Sequence, residues 1–203
     1  VVAHLDHGYN LEDCKIALDS GFTSLMFDGS RKSLQQNIDE TAAIVAMAHT
    51  AGISCEGEIG FVGYSGGESS NGTDPAEAAK FCRDSGVDAL AISVGNVHLQ
   101  EKKEGGLDLA RIAEIEAITS VPLVIHGGSG VPVAQRRLLA TQTSICKFNI
   151  GTELRIAFGA ALREAVAIDP FRFDRVQILV DTIDPVQLAA QRILSAFGAP
   201  PQR

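Results

Sequence analysis

Three histidines stand at the ends of three separate apolar runs: His7 in HLDHG, His98 in VGNVHL and His126 in PLVIHGGSG. The chain holds only five histidines, and His49 falls inside a helical pattern. Three neutral imidazoles on one point leave a position open for a substrate oxygen, the ligand set of a catalytic zinc ion. Nitrogen ligands favour zinc over magnesium, which prefers oxygen. Any one of the three, taken alone, reads equally well as a hydrogen-bonded structural residue. Asp6 directly precedes His7 and suits proton transfer beside a metal. Strand alternation puts Asp6 and His7 on opposite faces, and Gly8 is expected to let the backbone turn so that both reach one site. His4 is expected deeper, as a hydrogen-bonded core residue. Glu56 and Glu58 in EGEIG lie two apart, hence on one strand face, while Gly57 keeps the other face thin. They suit metal approach or the orientation of a ligating histidine from behind. Asp28 in MFDGS is a weaker proton-transfer candidate, or simply caps the helix after it.

A second chemistry follows the third histidine. Gly127, Gly128, Ser129 and Gly130 form a turn with almost no side chains, and NIGT, Asn149 to Thr152, repeats the theme further on. Glycine lets backbone amides approach an anion closely, and a helix N-terminus adds favourable partial charge. Ser129 and Thr152 add hydroxyl donors. Either loop alone reads as a plain glycine-rich turn; both together point to a phosphate cradle.

These residues need elements to carry them. Six apolar runs read as strands: Val1–Leu5, Thr23–Phe27, Ile53–Ile59, Ala89–Val94, Leu123–Ile125 and Cys146–Ile150. Between most of them lie helical patterns. Leu34, Ile38, Thr41, Val45 and Ala48 recur at three and four, as do Leu109, Ile112, Ile115 and Ile118. Asp74-Pro75 reads as an N-cap with proline at the first helical position. Further helices are expected from Glu153 to Ala167 and from Asp184 or Pro185 to about Phe197. Strands alternating with helices predict an α/β fold with a parallel sheet. The polar residue at each strand end (His7, Asp28, Glu58, His98, His126, Asn149) then gathers on one mouth, as in a (β/α)8 barrel. Residues 63–72, GYSGGESSNG, read as a mobile polar loop and a candidate lid, since loops of this length in a compact domain usually carry function.

With 203 residues and 45% hydrophobic content the chain suits one globular domain, residues 1–203. A formal net charge of −8 argues against a general nucleic-acid or acidic-membrane surface. No apolar run reaches transmembrane length. Four cysteines without a C-x-x-C pair read as reduced structural thiols of a cytoplasmic protein.

From HLDHG through SLMFDGS, EGEIG, GTDPAEAAKF, GVDALAISVGNVH, PLVIHGGSG and KFNIGTELR, about Val1 to Ala160, the chain resembles the class II, zinc-dependent ketose-bisphosphate aldolases of the fructose- and tagatose-bisphosphate type. The resemblance implies a TIM barrel, with Asp6 as catalytic acid/base and Glu68 as the acid of the lid. It places the zinc ligands at His7, His98 and His126, with Glu58 at an alternative metal position. Gly127, Gly128, Ser129, Asn149, Gly151 and Thr152 fall on the phosphate loops, whose backbone also tends to host a monovalent cation (Na+ or K+). The implied reaction cleaves or forms a ketose 1,6-bisphosphate, or a related phosphorylated ketose, through a metal-stabilised enediolate of dihydroxyacetone phosphate. No lysine Schiff base is required, so Lys147 is structural. A homodimer or homotetramer is usual for such enzymes. Leu99 departs from the family's glycine after the second histidine. The family barrel has eight strands, so the first two βα units are expected to be absent here, with a longer natural chain or a second subunit completing the wall. Two other readings stand beside this one: a non-catalytic, aldolase-like binding or assembly subunit, and a metal-dependent hydrolase barrel.

Overall fold

A computed structural model describes residues 2–100 and 106–198. Six strands form one sheet in the order β1-β2-β3-β4-β5-β6, every neighbouring pair parallel. They are β1 (His4–Gly8), β2 (Ser24–Phe27), β3 (Ser54–Ile59), β4 (Ala89–Ile92), β5 (Leu123–Ile125) and β6 (Ile145–Phe148). The crossovers contain α1 (Leu11–Asp19), α2 (Leu34–Thr50), α3 (Pro75–Ser85), α4 (Leu109–Ile118) and α5 (Val133–Gln142); α6 (Thr152–Ile168), α7 (Arg175–Val180) and α8 (Ile183–Ala196) follow. The sheet curls into a half-barrel. Side chains of its first and sixth strands nearly close the circle, with His4 Nε2 3.3 Å from Lys147 Nζ. No described helix is long and apolar enough to cross a membrane.

Pleat alternation makes two unlike faces. Leu25, Phe27, Cys55, Ile59, Leu90, Ile92, Leu123 and Ile125 point outward and are buried with Ile44, Phe81, Ile112 and Ile115 under the helices. Gly57 is outward too, and a Cβ there would lie 2.8 Å from the Phe81 ring, so the missing side chain is what seats α3. Met26, Ala91 and Val124 point inward as a small separate cluster.

Three helices lie outside the sequence reading, and each has a reason. The buried stripe of α1 is Cys14 and Ala17, too small to register as an apolar face. The buried positions of α5 are Leu139 and an arginine, Arg136, which breaks the pattern. Helix α7 buries nothing. The first strand also corrects the reading. It is HLDHG itself rather than Val1–Leu5, because a strand whose inner face lines a polar mouth is polar; Val1 lies outside the described residues. The last strand is Ile145–Phe148, which leaves Asn149 and Ile150 to the loop.

Candidate active site

Asp6 and His7 reach one rim by a different route from the one the sequence suggests. Between the pairs Leu5↔Leu25 and Gly8↔Phe27, β1 carries one residue more than β2, a bulge. His7 itself takes the left-handed conformation, φ 59°. Such a conformation costs a non-glycine residue about 1–2 kcal/mol and tends to persist at functional sites. Gly8 serves another purpose: a Cβ there would lie 2.9 Å from Cys14 Sγ, so its absence lets α1 approach.

His7 Nδ1 lies 2.8 Å from Asp28 Oδ2. The other Asp28 oxygen accepts from the Ser30 amide and hydroxyl at 3.0 and 2.6 Å. Asp28 is therefore no helix cap; α2 is capped by Ser33 in a capping box with Gln36. His126 directly follows β5 and is fully buried, with Nε2 3.0 Å from Glu56 Oε1. The other Glu56 oxygen meets Lys147 Nζ at 2.6 Å. Burial favours a neutral Glu56 carboxyl, but the His126 hydrogen bond and the Lys147 ammonium outweigh it and hold the pKa at about 2. Burial opposes ionisation of Asp28 as well, and hydrogen bonds from His7 and Ser30 lower its pKa in spite of that.

Two ionised carboxylates only accept. With both imidazoles neutral, His7 Nδ1 and His126 Nε2 carry the protons, and His7 Nε2 and His126 Nδ1 face one another at 3.1 Å, each with a lone pair. Bare lone pairs at that separation repel, and a cation between them removes the conflict. The spacing is close to the edge of a zinc tetrahedron with bonds of about 2.0–2.1 Å. His98 completes the group, the candidate ligand atoms of all three lying within 4.8 Å of one another. Burial, reinforced by the imidazoles of His126 and His7, lowers His98 to about 4 and keeps it neutral. Glu58 lies beneath, 3.7 Å from His126 Nδ1. Its Oε2 is the one buried side-chain polar atom among the described residues without a hydrogen-bond partner. Burial first, then Asp28 and Glu56, push its carboxyl well above the usual range. His7, Asp28 and Glu58 form a second group of ligand type.

His98 is carried by the candidate lid. Its amide donates to Gly63 O at 2.8 Å, the Ser65 amide donates back to His98 O at 2.9 Å, and Tyr64 stacks on its ring at 4.9 Å. A bridge between Phe61 and Asn71 closes the base of the excursion. Glu68 sits exposed on it, paired with Arg31 at 2.8 Å, and Arg31 in turn covers the Phe61 ring. His4 is half-buried, bonded to Ser24 Oγ at 2.9 Å.

Beside the imidazoles opens a cavity of about 290 Å³ whose lining includes Asp6, Leu99, Gly127, Ser129, Asn149, Gly151 and Thr152. Asp6 is exposed, 3.9 Å from His7 Nε2, and accepts from Asn149 Nδ2 at 3.0 Å. Gly128 ties the two glycine loops together by donating to Asn149 O at 3.0 Å. Gly127 is left-handed at φ 62°, and a Cβ there would lie 2.3 Å from Val97 O, so no other residue fits. Arg155, which the sequence reading missed, also lines this cavity and lays its guanidinium over Gly151. The signal was available: a cation one turn into the helix that follows the second loop shares the face of its first residue.

The family model described as "Fructose-bisphosphate aldolase class-II" matches residues 1–201. The chain belongs to that family. It is thus a class II aldolase, a lyase. A fructose-bisphosphate aldolase of Geobacillus stearothermophilus is 38% identical over 98% of this chain and 70% of its own length. A 6-phospho-5-dehydro-2-deoxy-D-gluconate aldolase of Shouchella clausii is 41% identical over 98% and 69%. Among solved structures, the YdjI aldolase from Escherichia coli K12 superimposes with a TM-score of 0.79 at 31% identity, covering 98% of this chain and 69% of that one. Relatives of like identity thus carry different substrate names.

Proposed function

We propose that this class II aldolase is zinc-dependent and cleaves or forms a ketose 1,6-bisphosphate or related phosphorylated ketose, with dihydroxyacetone phosphate as one three-carbon partner. The observation that carries the reading is the convergence of His7, His98 and His126, with His7 Nε2 and His126 Nδ1 only 3.1 Å apart. These two and His98 would hold the zinc, with Glu58 as an alternative ligand below. Zinc supplies Lewis acidity at a substrate carbonyl. Asp28 and Glu56 fix the two imidazoles from behind and set their tautomers. Asp6 is the acid/base: in cleavage it takes the proton from the hydroxyl next to the breaking carbon–carbon bond, and in synthesis it returns it. Glu68 is the second acid, reaching the substrate when its pairing with Arg31 opens. The cavity lined by Gly127, Ser129, Asn149, Gly151 and Thr152, backed by Gly128, takes a phosphate group on backbone amides and hydroxyls. The carbonyls of the same loops hold a sodium or potassium ion.

Residues 1–203 act as one domain, and two further parallel strands, from the same chain or a second copy, close the sheet between β6 and β1. Exposed apolar side chains on the α6–α8 side, with Phe171 and Phe173 at 93% and 96% exposure, support assembly into a homodimer or homotetramer. Four free cysteines, three of them buried, suit a cytoplasmic setting.

Metal analysis with a cleavage assay on phosphorylated ketoses tests the proposal. Asp6→Asn should keep zinc and lose about 10²–10⁴ in turnover; His126→Ala should lose the metal itself. Equal loss of metal in both variants overturns the role assignments. Bound zinc with no product from any phosphorylated ketose favours a binding subunit.

A further inference from the structure

Arg136 is fully buried in α5, at a position where the helix packs inward. Among the described residues, its side-chain hydrogen bonds run to the glycine-rich turn with its exit and to the first turn of α6. Nε donates to Val131 O at 2.8 Å and Nη2 to Ser129 O at 2.8 Å, just past and within the glycine-rich turn. Nη2 also donates to the carboxylate of Glu153, the second residue of α6. The Glu153 amide donates to Ser129 Oγ at 3.3 Å, which closes a ring. Ser129 is therefore held at both ends, its carbonyl by α5 and its hydroxyl by the first turn of α6. Burying a guanidinium costs several kcal/mol before its partners compensate, and replacing both members of such a pair by apolar side chains is often neutral or stabilising. What the charge adds is a geometric demand: three acceptors on two different loops must stand where one planar fork can reach them.

We propose that Arg136 is a positioning residue for anion binding, locking the glycine-rich loop to the start of α6 so that both face the same phosphate. It touches no substrate; it acts through Ser129 and Glu153. The inference rests on the reading of the 290 Å³ cavity as a phosphate site.

The test uses inorganic phosphate as the probe on the full chain, with zinc content and melting temperature measured alongside. Wild-type protein should bind phosphate. Arg136→Met should lose about tenfold to a hundredfold in phosphate affinity with zinc content unchanged, as displaced positioning groups commonly do. Arg136→Lys, which keeps the charge but loses the fork, should fall between. The double variant Arg136→Met with Glu153→Met removes the buried charge pair together, so its melting temperature should recover while phosphate affinity stays low. A double variant or Arg136→Lys that binds phosphate as tightly as wild type overturns the positioning role. Absence of phosphate binding in the wild type itself overturns the cradle reading first, which separates the two failures.

Discussion

The two faces of the same six strands follow opposite rules. Outward, Leu25, Phe27, Leu90, Ile92, Leu123 and Ile125 are all inaccessible and belong to one apolar cluster. Inward, past the small floor of Met26, Ala91 and Val124, the buried residues are Glu56, Glu58 and His126. Strands β2 to β5 alternate between the two sets, one residue to each. The outer set burdens no one with charge and supplies stability at roughly 1.5–3 kcal/mol per large side chain. The inner set is polar and finds its partners only within itself, and one of its atoms, Glu58 Oε2, has no hydrogen-bond partner among the described residues. Fold and chemistry are thus written on interleaved residues and are separable by mutation.

That separation can be broken or sharpened. Phe81→Ala removes the ring seated on Gly57 and should cost about 3–5 kcal/mol in denaturant unfolding, with zinc per folded molecule unchanged. Glu56→Gln on the inner face should lower zinc affinity by about 10–100-fold in competition with a chelator. A stability loss as large as that of Phe81→Ala would show that the faces are not independent. Arg155→Ala should weaken phosphate binding about tenfold, the loss of one hydrogen bond from a charged group, with zinc retained; unchanged calorimetric affinity would remove Arg155 from the site.

Smaller effects test the strain and the thiols. Leu99 is left-handed at φ 55°, half-exposed beside the cavity, where the family resemblance expects glycine. Leu99→Gly should raise stability by about 1 kcal/mol by relieving that conformation, seen as a higher melting temperature. On the outer side, burial pushes Cys14 and Cys82 up to about 11 and Cys55 up to about 12. A thiol that holds its proton more tightly folded than unfolded stabilises the native state fully below its unfolded pKa of about 8.5. That contribution is lost as pH rises through the folded values. Unfolding free energy should therefore fall on the alkaline side, and at pH 8 a thiol reagent should modify exposed Cys146 alone. Rapid native labelling of all four would contradict the outer core.

Much of this arrangement was legible in residues close in sequence. Glu56 and Glu58 share a face because they are two apart, and Gly57 between them is thin where α3 sits. Asp74 caps α3 and Pro75 opens it, as the dipeptide suggested. His7 and His126 stand at strand ends as their apolar runs predict, whereas His98 lies past the end of β4, in a loop bonded to Gly63 and Ser65. Asp28 was undervalued because its partner, His7, stands 21 residues away on the neighbouring strand, and local pattern offers only a cap. Helix α5 was missed because its inward position is an arginine satisfied by carbonyls of another element.

By itself, then, the sequence determined the alternation of strands and helices, the polar strand ends and the glycine loops, since these depend on periods of two and three to four along the chain. Tertiary structure alone decided that His7 rather than Gly8 turns the rim, that the loop of residues 63–72 holds His98, and that Asp28 and Glu56 stand behind two of the imidazoles. Those outcomes depend on how far the sheet curls and where a bulge shifts its register. Such distances between strands are set by packing and hydrogen bonding across the sheet, which no window of neighbouring residues contains.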